Sequence, residues 1–343
     1  MKGKKFLYHM HYFRAFAILN IMMDHVWLYP VHHDKTNPDA ILIESAREAF
    51  FGGSTIYFII ISGFLFHHLK FKFTIPKYYI SKIKNVVSPY VFFSVLILAL
   101  TTFLGSVVNS SILDFLASIP NVLIHGTALG PFWYIPFIIP IFVVSPLLLK
   151  IPEKTFIKIA PFLFLLPLLG TRTGTTLSFG LYLYLFPIYL MGFYLSMNYS
   201  LIMSKVSQYR TQLGIIAVLA IITTFYFRME SIDDINRNLY QSVLYIKNIS
   251  ISMVVLSIMK KNEDKRSRLL NSLANYSFAL FFLHDFINYK VIVVSRKISS
   301  LIDYNYTFIW SLIWAIFVIA LTWLLCIIGK KITGKYSRPL MGA

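Results

Sequence analysis

RAFAILNIMMDH, residues Arg14–His25, opens the first apolar run of the chain and decides how the rest is read. Three ionisable side chains sit in a stretch otherwise suited to the inside of a membrane, where each is costly and therefore points to function by default. Eleven steps of about 100° end within about 20° of three full turns, so Arg14 and His25 share one helix face, separated by roughly 16 Å of rise. Asp24 projects about a quarter-turn away. Two readings of each group stand. Arg14 is a snorkelling cation at the membrane surface or the inner mouth of a polar cavity. His25 and Asp24 mark the end of the helix at the headgroups, or a titratable base with a neighbouring carboxylate.

The composition around this stretch is that of a polytopic membrane protein. The 343 residues are 57% hydrophobic and 17% aromatic with only 13% charged, well outside the range of soluble domains. About 20 apolar residues cross the hydrocarbon core. Runs of that kind lie at 10–31, 48–69, 86–108, 131–150, 155–170, 177–196, 212–229, 240–259, 274–293 and 306–330, which predicts ten helical spans. The fifth is short and holds Pro161 and Pro167. The first has no small-residue cleavage site and is read as a retained span, not a signal peptide. The longest outer loops expected are 32–47 and 109–130.

The excess of 32 Lys and Arg over 14 Asp and Glu gathers between spans. With the N-terminus inside, the basic loop 70–84, Lys150, Lys154, Lys158, Lys205, Arg210, the run KKNEDKRSR (260–268) and the tail with Lys330, Lys331, Lys335 and Arg338 all fall on the cytoplasmic side. They far outnumber Lys35, Arg47, Arg172, Arg228, Arg237, Lys290, Arg296 and Lys297 outside, which predicts both termini in the cytoplasm. Arg14 and Lys247 remain within spans. No nucleic-acid motif accompanies the charge. A lone Cys326 leaves no internal disulfide and no multi-cysteine metal site. A metal site drawn from His25, His32, His33, Asp34 and His284 fits no ligand spacing, and none is expected. No internal repeat is visible, which weighs against a transporter built of repeated halves.

Further polar features lie on the other spans. The second, FGGSTIYFIIISGFLFHH (51–68), carries Ser62-Gly63 in mid-span, read either as small-residue helix packing or as a place of close backbone approach. The stretch KYYISKIKNVVSPY (77–90) offers Lys82 and Lys84 as interfacial anchors or as contacts to a phosphorylated ligand. GPFWYIP (130–136) places Trp133 and Tyr134 in an aromatic belt or against a sugar ring. YSFALFFLHDF (276–286) adds His284 and Asp285 among aromatics, as a polar helix end or a second functional pair.

Taken in order, these features resemble the acyltransferase-3 family of integral-membrane O-acyltransferases that modify bacterial surface polysaccharides. The likeness runs over roughly 8–330. It rests on the Arg, ten residues, His pattern of FRAFAILNIMMDH and on GGSTIYFIIISGFLF with Ser62, Gly63 and Phe64. Weaker support comes from Pro89-Tyr90, Trp133-Tyr134 and the Ser277-to-His284 segment. The chain departs in having Lys82 and Lys84 where arginines are usual, losing the bidentate fork, and Asp285 where a proline is usual. The resemblance is to the stand-alone type without a fused extracytoplasmic domain, giving one membrane domain over 8–330 and a short basic cytoplasmic tail over 331–343.

The resemblance implies an enzyme of the bacterial cytoplasmic (inner) membrane. It would move an acyl group, most often acetyl, from cytoplasmic acyl-CoA to a hydroxyl of a cell-surface glycan or its lipid-linked precursor. Acetyl-CoA would be a co-substrate, with no cofactor permanently bound. In that reading His25 is the base, Asp24 its possible orienter, and Arg14 the donor contact. Ser62, Gly63, Phe64, Lys82 and Lys84 join the donor site, while Trp133, Tyr134 and His284 meet the acceptor. The rival classes are a transporter or flippase of a lipid-linked glycan, an O-succinyl or other short-chain acyltransferase, and a structural or sensor protein. Lipids are the expected surroundings, and the oligomeric state stays open.

Overall fold

The computed structural model describes residues 6–28, 37–104, 111–171, 177–299 and 308–342. Among these the chain is all helix with no strand. The longer elements are α1 (Tyr8–His25), α2 (Pro38–Phe51), α3 (Thr55–His68), α4 (Ile75–Lys82), α5 (Ser88–Leu104), α6 (Ile112–His125), α7 (Tyr134–Leu148), α8 (Glu153–Leu165) and α9 (Phe179–Met197). There follow α10 (Tyr199–Gln208), α11 (Arg210–Met229), the short α12 (Ile232–Ile235), α13 (Arg237–Lys261), α14 (Arg268–Asn275), α15 (Ser277–Ser299), α16 (Phe308–Thr333) and α17 (Ser337–Met341).

Eight helical stretches among the described residues are long and apolar enough to cross a membrane, so the protein is an all-α polytopic membrane protein. They match eight of the ten expected runs. The other two are helical but fall short. In α1 the polar residues Arg14, Asn20, Asp24 and His25 dilute the apolar run, and α8 is only 13 residues long with Pro161 inside it.

The two long loops expected on the outer side are partly helical among the described residues. In the expected loop 32–47, Asn37 accepts from the backbone N–H groups of Asp39 (3.0 Å) and Ala40 (3.4 Å), and Pro38 follows at the first helical position, which starts α2 well before residue 48. In the loop 109–130, Ser111 and Asp114 form a capping box that opens α6. Gly126 ends it in the left-handed conformation, φ 67°, directly beneath the turn that carries Trp133. A Cβ there would lie 2.7 Å from the backbone of Phe132 and Trp133.

Two helices, α3 and α9, meet backbone to backbone. An added Cβ at Gly63 would lie 1.9 Å from the Tyr189 carbonyl oxygen, and one at Gly192 would lie 2.1 Å from that of Ile60. Close approach of this kind drives helix association where lipid removes the hydrophobic incentive. The core fills around it with Phe13, Tyr57, Phe132, Phe137 and Phe282, all fully buried. By contrast, α11 and α16 turn Ile215, Leu219, Ile222, Ile313, Phe317 and Leu324 outward, a surface that lipid rather than water would cover.

The expected boundary at residue 330 falls inside α16, which continues to Thr333. The residues beyond it fold back on the bundle as α17, with Met341 buried and Ser88 Oγ donating to the Pro339 carbonyl at 2.8 Å.

Candidate active site

The first helix sets the axis of the site. At its Arg14 end the basic segments assemble. Arg14 borders one cavity of about 380 Å³, among Leu7, Met10, Ile61, Leu65, His68 and Lys72. On its other side lies a second cavity of about 430 Å³ that also takes in Ser277, Lys330, Lys335 and Arg338. Arg14 Nη2 lies 3.4 Å from His11 Nδ1, while its buried Nε makes no hydrogen bond. Nearby, the Lys70 ammonium pairs with Glu153 at 2.8 Å and holds that carboxyl below its ordinary range.

Three turns further on, the His25 ring lies against His284 of α15, with ring centroids 5.5 Å apart and planes at 43°. The expected shared face is realised, since Arg14 shares a cavity with Ser277 at the start of α15 and His25 meets the same helix seven residues beyond that serine. His284 is fully buried, and its Nδ1 lies 3.0 Å from the Leu280 carbonyl oxygen. A carbonyl only accepts, so Nδ1 carries the proton and a neutral His284 presents Nε2 as a lone pair. That buried Nε2 has no hydrogen-bond partner. Asn288, one turn on, donates to the His25 carbonyl at 3.3 Å and accepts from the Trp314 indole at 2.9 Å, which ties the end of α1 to α15 and α16.

Asp24, expected above as a possible orienter of His25, is bound by an arginine of α2. Arg47 Nη1 donates to its Oδ1 at 2.7 Å and to its carbonyl at 3.0 Å, so the carboxylate is engaged by α2. Arg47 also reaches Glu48 at 3.0 Å and Glu44 at 3.8 Å; Arg228 pairs with Glu44, and the Tyr240 hydroxyl donates to Glu48 at 3.1 Å. This ion cluster, which spans α1, α2, α11 and α13, escaped the sequence reading because its members lie far apart in the chain. It holds the helix end next to His25 by charge pairing, the condition under which buried charges are tolerated.

Lys247, left unplaced by the sequence, completes it. Its fully buried ammonium donates to the carbonyls of Glu48 (2.8 Å) and Ala49 (3.2 Å), and Asn248 donates to that of Gly52 at 3.0 Å while accepting from Tyr57 at 2.7 Å. Two neighbours on α13 thus cap the negative end of α2: Lys247 takes the Ala49 carbonyl and shares that of Glu48 with the Gly52 N–H, and Asn248 takes that of Gly52. Lys247→Met should remove the cap while keeping the packing. The expected cost is about 3 kcal/mol, seen as a lower thermal midpoint in detergent, and an unchanged midpoint would rule the cap out.

Of the remaining expected site residues, some converge and others do not. The Tyr134 side chain lies near that of Ser62, bringing a residue expected at the donor close to one expected at the acceptor. Trp133 and Tyr134 are both buried, and Tyr134 packs edge-on against Phe281, 5.9 Å away and three residues before His284. Gly63 gives no room to a ligand, because α9 fills the space beside it. Phe64 is buried between His68 and Tyr199. Lys82 lies over the Phe142 ring at 3.8 Å, and Lys84 is exposed, so neither lines the cavities at Arg14. Lys84 belongs to a π-helical turn, Ile83–Val87, that joins α4 to α5, and it is Asn85 from this turn that reaches the second cavity. Among the described residues no three His, Cys, Asp or Glu side chains gather as metal ligands; His32, His33 and Asp34 lie outside those residues.

Fold and site together define a membrane-embedded protein with an imidazole pair, one ring of it fully buried, and a cation-rich end. Residues 7–335 match the family model described as an acyltransferase domain, and the chain belongs to the acyltransferase-3 family. It is a membrane acyltransferase. No curated protein and no solved structure matches it.

Proposed function

We propose that the protein transfers an acyl group, acetyl in the first instance, from cytoplasmic acyl-CoA to a hydroxyl of a cell-surface glycan or its lipid-linked precursor in the bacterial inner membrane. The observation that carries the reading is the placement of Arg14 and of the His25–His284 pair along one side of α15. A sugar hydroxyl needs a base that works near neutral pH, and imidazole is the side chain suited to it. The base takes the hydroxyl proton as the oxygen attacks the thioester carbonyl. The tetrahedral intermediate then expels the CoA thiolate, which recovers a proton from the imidazolium. Arg14 holds donor phosphate, as guanidinium does through paired hydrogen bonds. Trp133 and Tyr134 border the acceptor path through Ser62 and Phe281.

Assigning the Arg14 end to the cytoplasm follows from the basic segments collected there. A glycan flippase would share the buried polar groups without consuming a donor. The test is purified protein in lipid nanodiscs with labelled acetyl-CoA and an isolated surface glycan. Arg14→Ala should raise the KM for acetyl-CoA about tenfold or more, the loss of one charge-assisted contact. Donor kinetics identical to wild type would remove Arg14 from the donor site. Glycan movement without acetyl transfer would favour the flippase.

A further inference from the structure

The cavity of about 430 Å³ beside Arg14 is built largely by residues that sequence patterns set aside as a basic tail. Its lining brings together Arg14 of α1, Lys330 at the end of α16, and Lys335 and Arg338 beyond it, with Asn85 and Ser277 as neutral donors. Among the described residues no acidic side chain lines it. Arg14 and Arg338 lie close enough to repel each other. Four cations around one space repel unless an anion joins them.

The segment that supplies two of these cations is docked, not trailing. Ser88 at the start of α5 donates to the Pro339 carbonyl at 2.8 Å. Ser337 and Met341 are buried, and the Met341 side chain occupies the space beside Gly329, where an added Cβ would meet its Cε at 2.5 Å. Gly342 turns with φ +74° against Phe278, where a Cβ would sit 2.7 Å from that ring's own Cβ. Buried anchors on both sides of Arg338 therefore hold its guanidinium at the cavity, and the fold works against charge repulsion to do so.

We propose that this cavity, roofed by residues 334–342, is a phosphate-binding site that receives the phosphorylated nucleotide end of the acyl donor, making the C-terminal segment part of the donor site. The inference rests on the acyl-CoA reading above and adds to it a ligand-binding role for Lys330, Lys335 and Arg338. The volume suits a nucleotide-sized group. Arg14 would then touch the donor where its phosphates end and the acyl-bearing arm begins.

The experiment uses full-length protein in zwitterionic nanodiscs, wild type and the variants Arg338→Gln, Lys335→Gln and Arg338→Lys, with exposed Lys150→Gln as a charge control. Each Gln variant should raise the KM for acetyl-CoA about tenfold, with kcat and the acceptor KM little changed. It should also weaken displacement of the donor by adenosine 3′,5′-bisphosphate to the same degree. Arg338→Lys should restore much of the affinity, which a merely misfolded segment would not, and Lys150→Gln should match wild type. Donor transfer with KM unchanged in both Gln variants would overturn the site. If the variants instead lose stabilisation by added phosphatidylglycerol while bisphosphate binding is intact, the cavity holds a lipid headgroup and the donor assignment falls. If wild-type protein transfers no acyl group yet binds the bisphosphate through Lys335 and Arg338, the phosphate site stands and the acyl-CoA reading fails.

Discussion

Replacing His25 by Ala should lower acyl transfer by about two to four orders of magnitude while leaving the KM for acyl-CoA near its wild-type value. The size follows from losing a positioned base, and the unchanged KM follows from the distance between His25 and the donor cavities at Arg14. His284→Ala should fall in the same range. Its Nδ1 is committed to the Leu280 carbonyl and its ring lies beside that of His25, so its bare Nε2 is left as a proton acceptor in the same site. The two changes together should cost little more than the worse of them, because residues that act as a unit are not additive. Wild-type turnover in His25→Ala would end the base assignment, and wild-type turnover in His284→Ala would reduce the pairing to packing. Trapping a labelled acyl group on the wild-type protein before acceptor is added would point to a covalent relay in place of direct transfer.

Gly63→Ala is expected to be the most damaging single-methyl change in the protein. The new Cβ would fall 1.9 Å from a backbone oxygen of α9, where no rotamer change can relieve it, and Gly192→Ala would press on α3 in the same way. Overpacking ordinarily costs about 1–3 kcal/mol, and a clash with backbone that forces two helices apart lies at or beyond the upper end. The measurement is the thermal midpoint and the yield of monodisperse protein in detergent. Both should drop for either variant, with the KM for acyl-CoA unaltered in whatever folds. A stable Gly63→Ala protein with a raised donor KM would return Gly63 to the donor site and overturn its packing role.

The readable part of this molecule was whatever repeats along one helix. Apolar runs marked the spans, and the period of 3.6 residues set Arg14 and His25 on one face of α1 before any partner helix was known. Helices α2 and α6 were missed because charged and turn-forming residues interrupt their apolar pattern. Their caps, Asn37-Pro38 and Ser111 with Asp114, were nonetheless legible signals. Lysines near Pro89 drew attention as donor contacts by charge alone, yet Lys82 settled over an aromatic ring and Asn85 took the cavity, because a π-helical turn resets which side chains face inward.

The sequence by itself determined that this chain is an all-helical membrane protein with a directional polar stripe on its first helix, since hydropathy and helical period are properties of a single segment. Only the tertiary structure decided what that stripe meets. It set His284 beside His25, gave Asp24 to Arg47, packed α9 against Gly63, and folded the basic tail back over Arg14. Each of these depends on side chains brought together from distant parts of the chain, where local periodicity carries no information and packing and charge pairing make the choice.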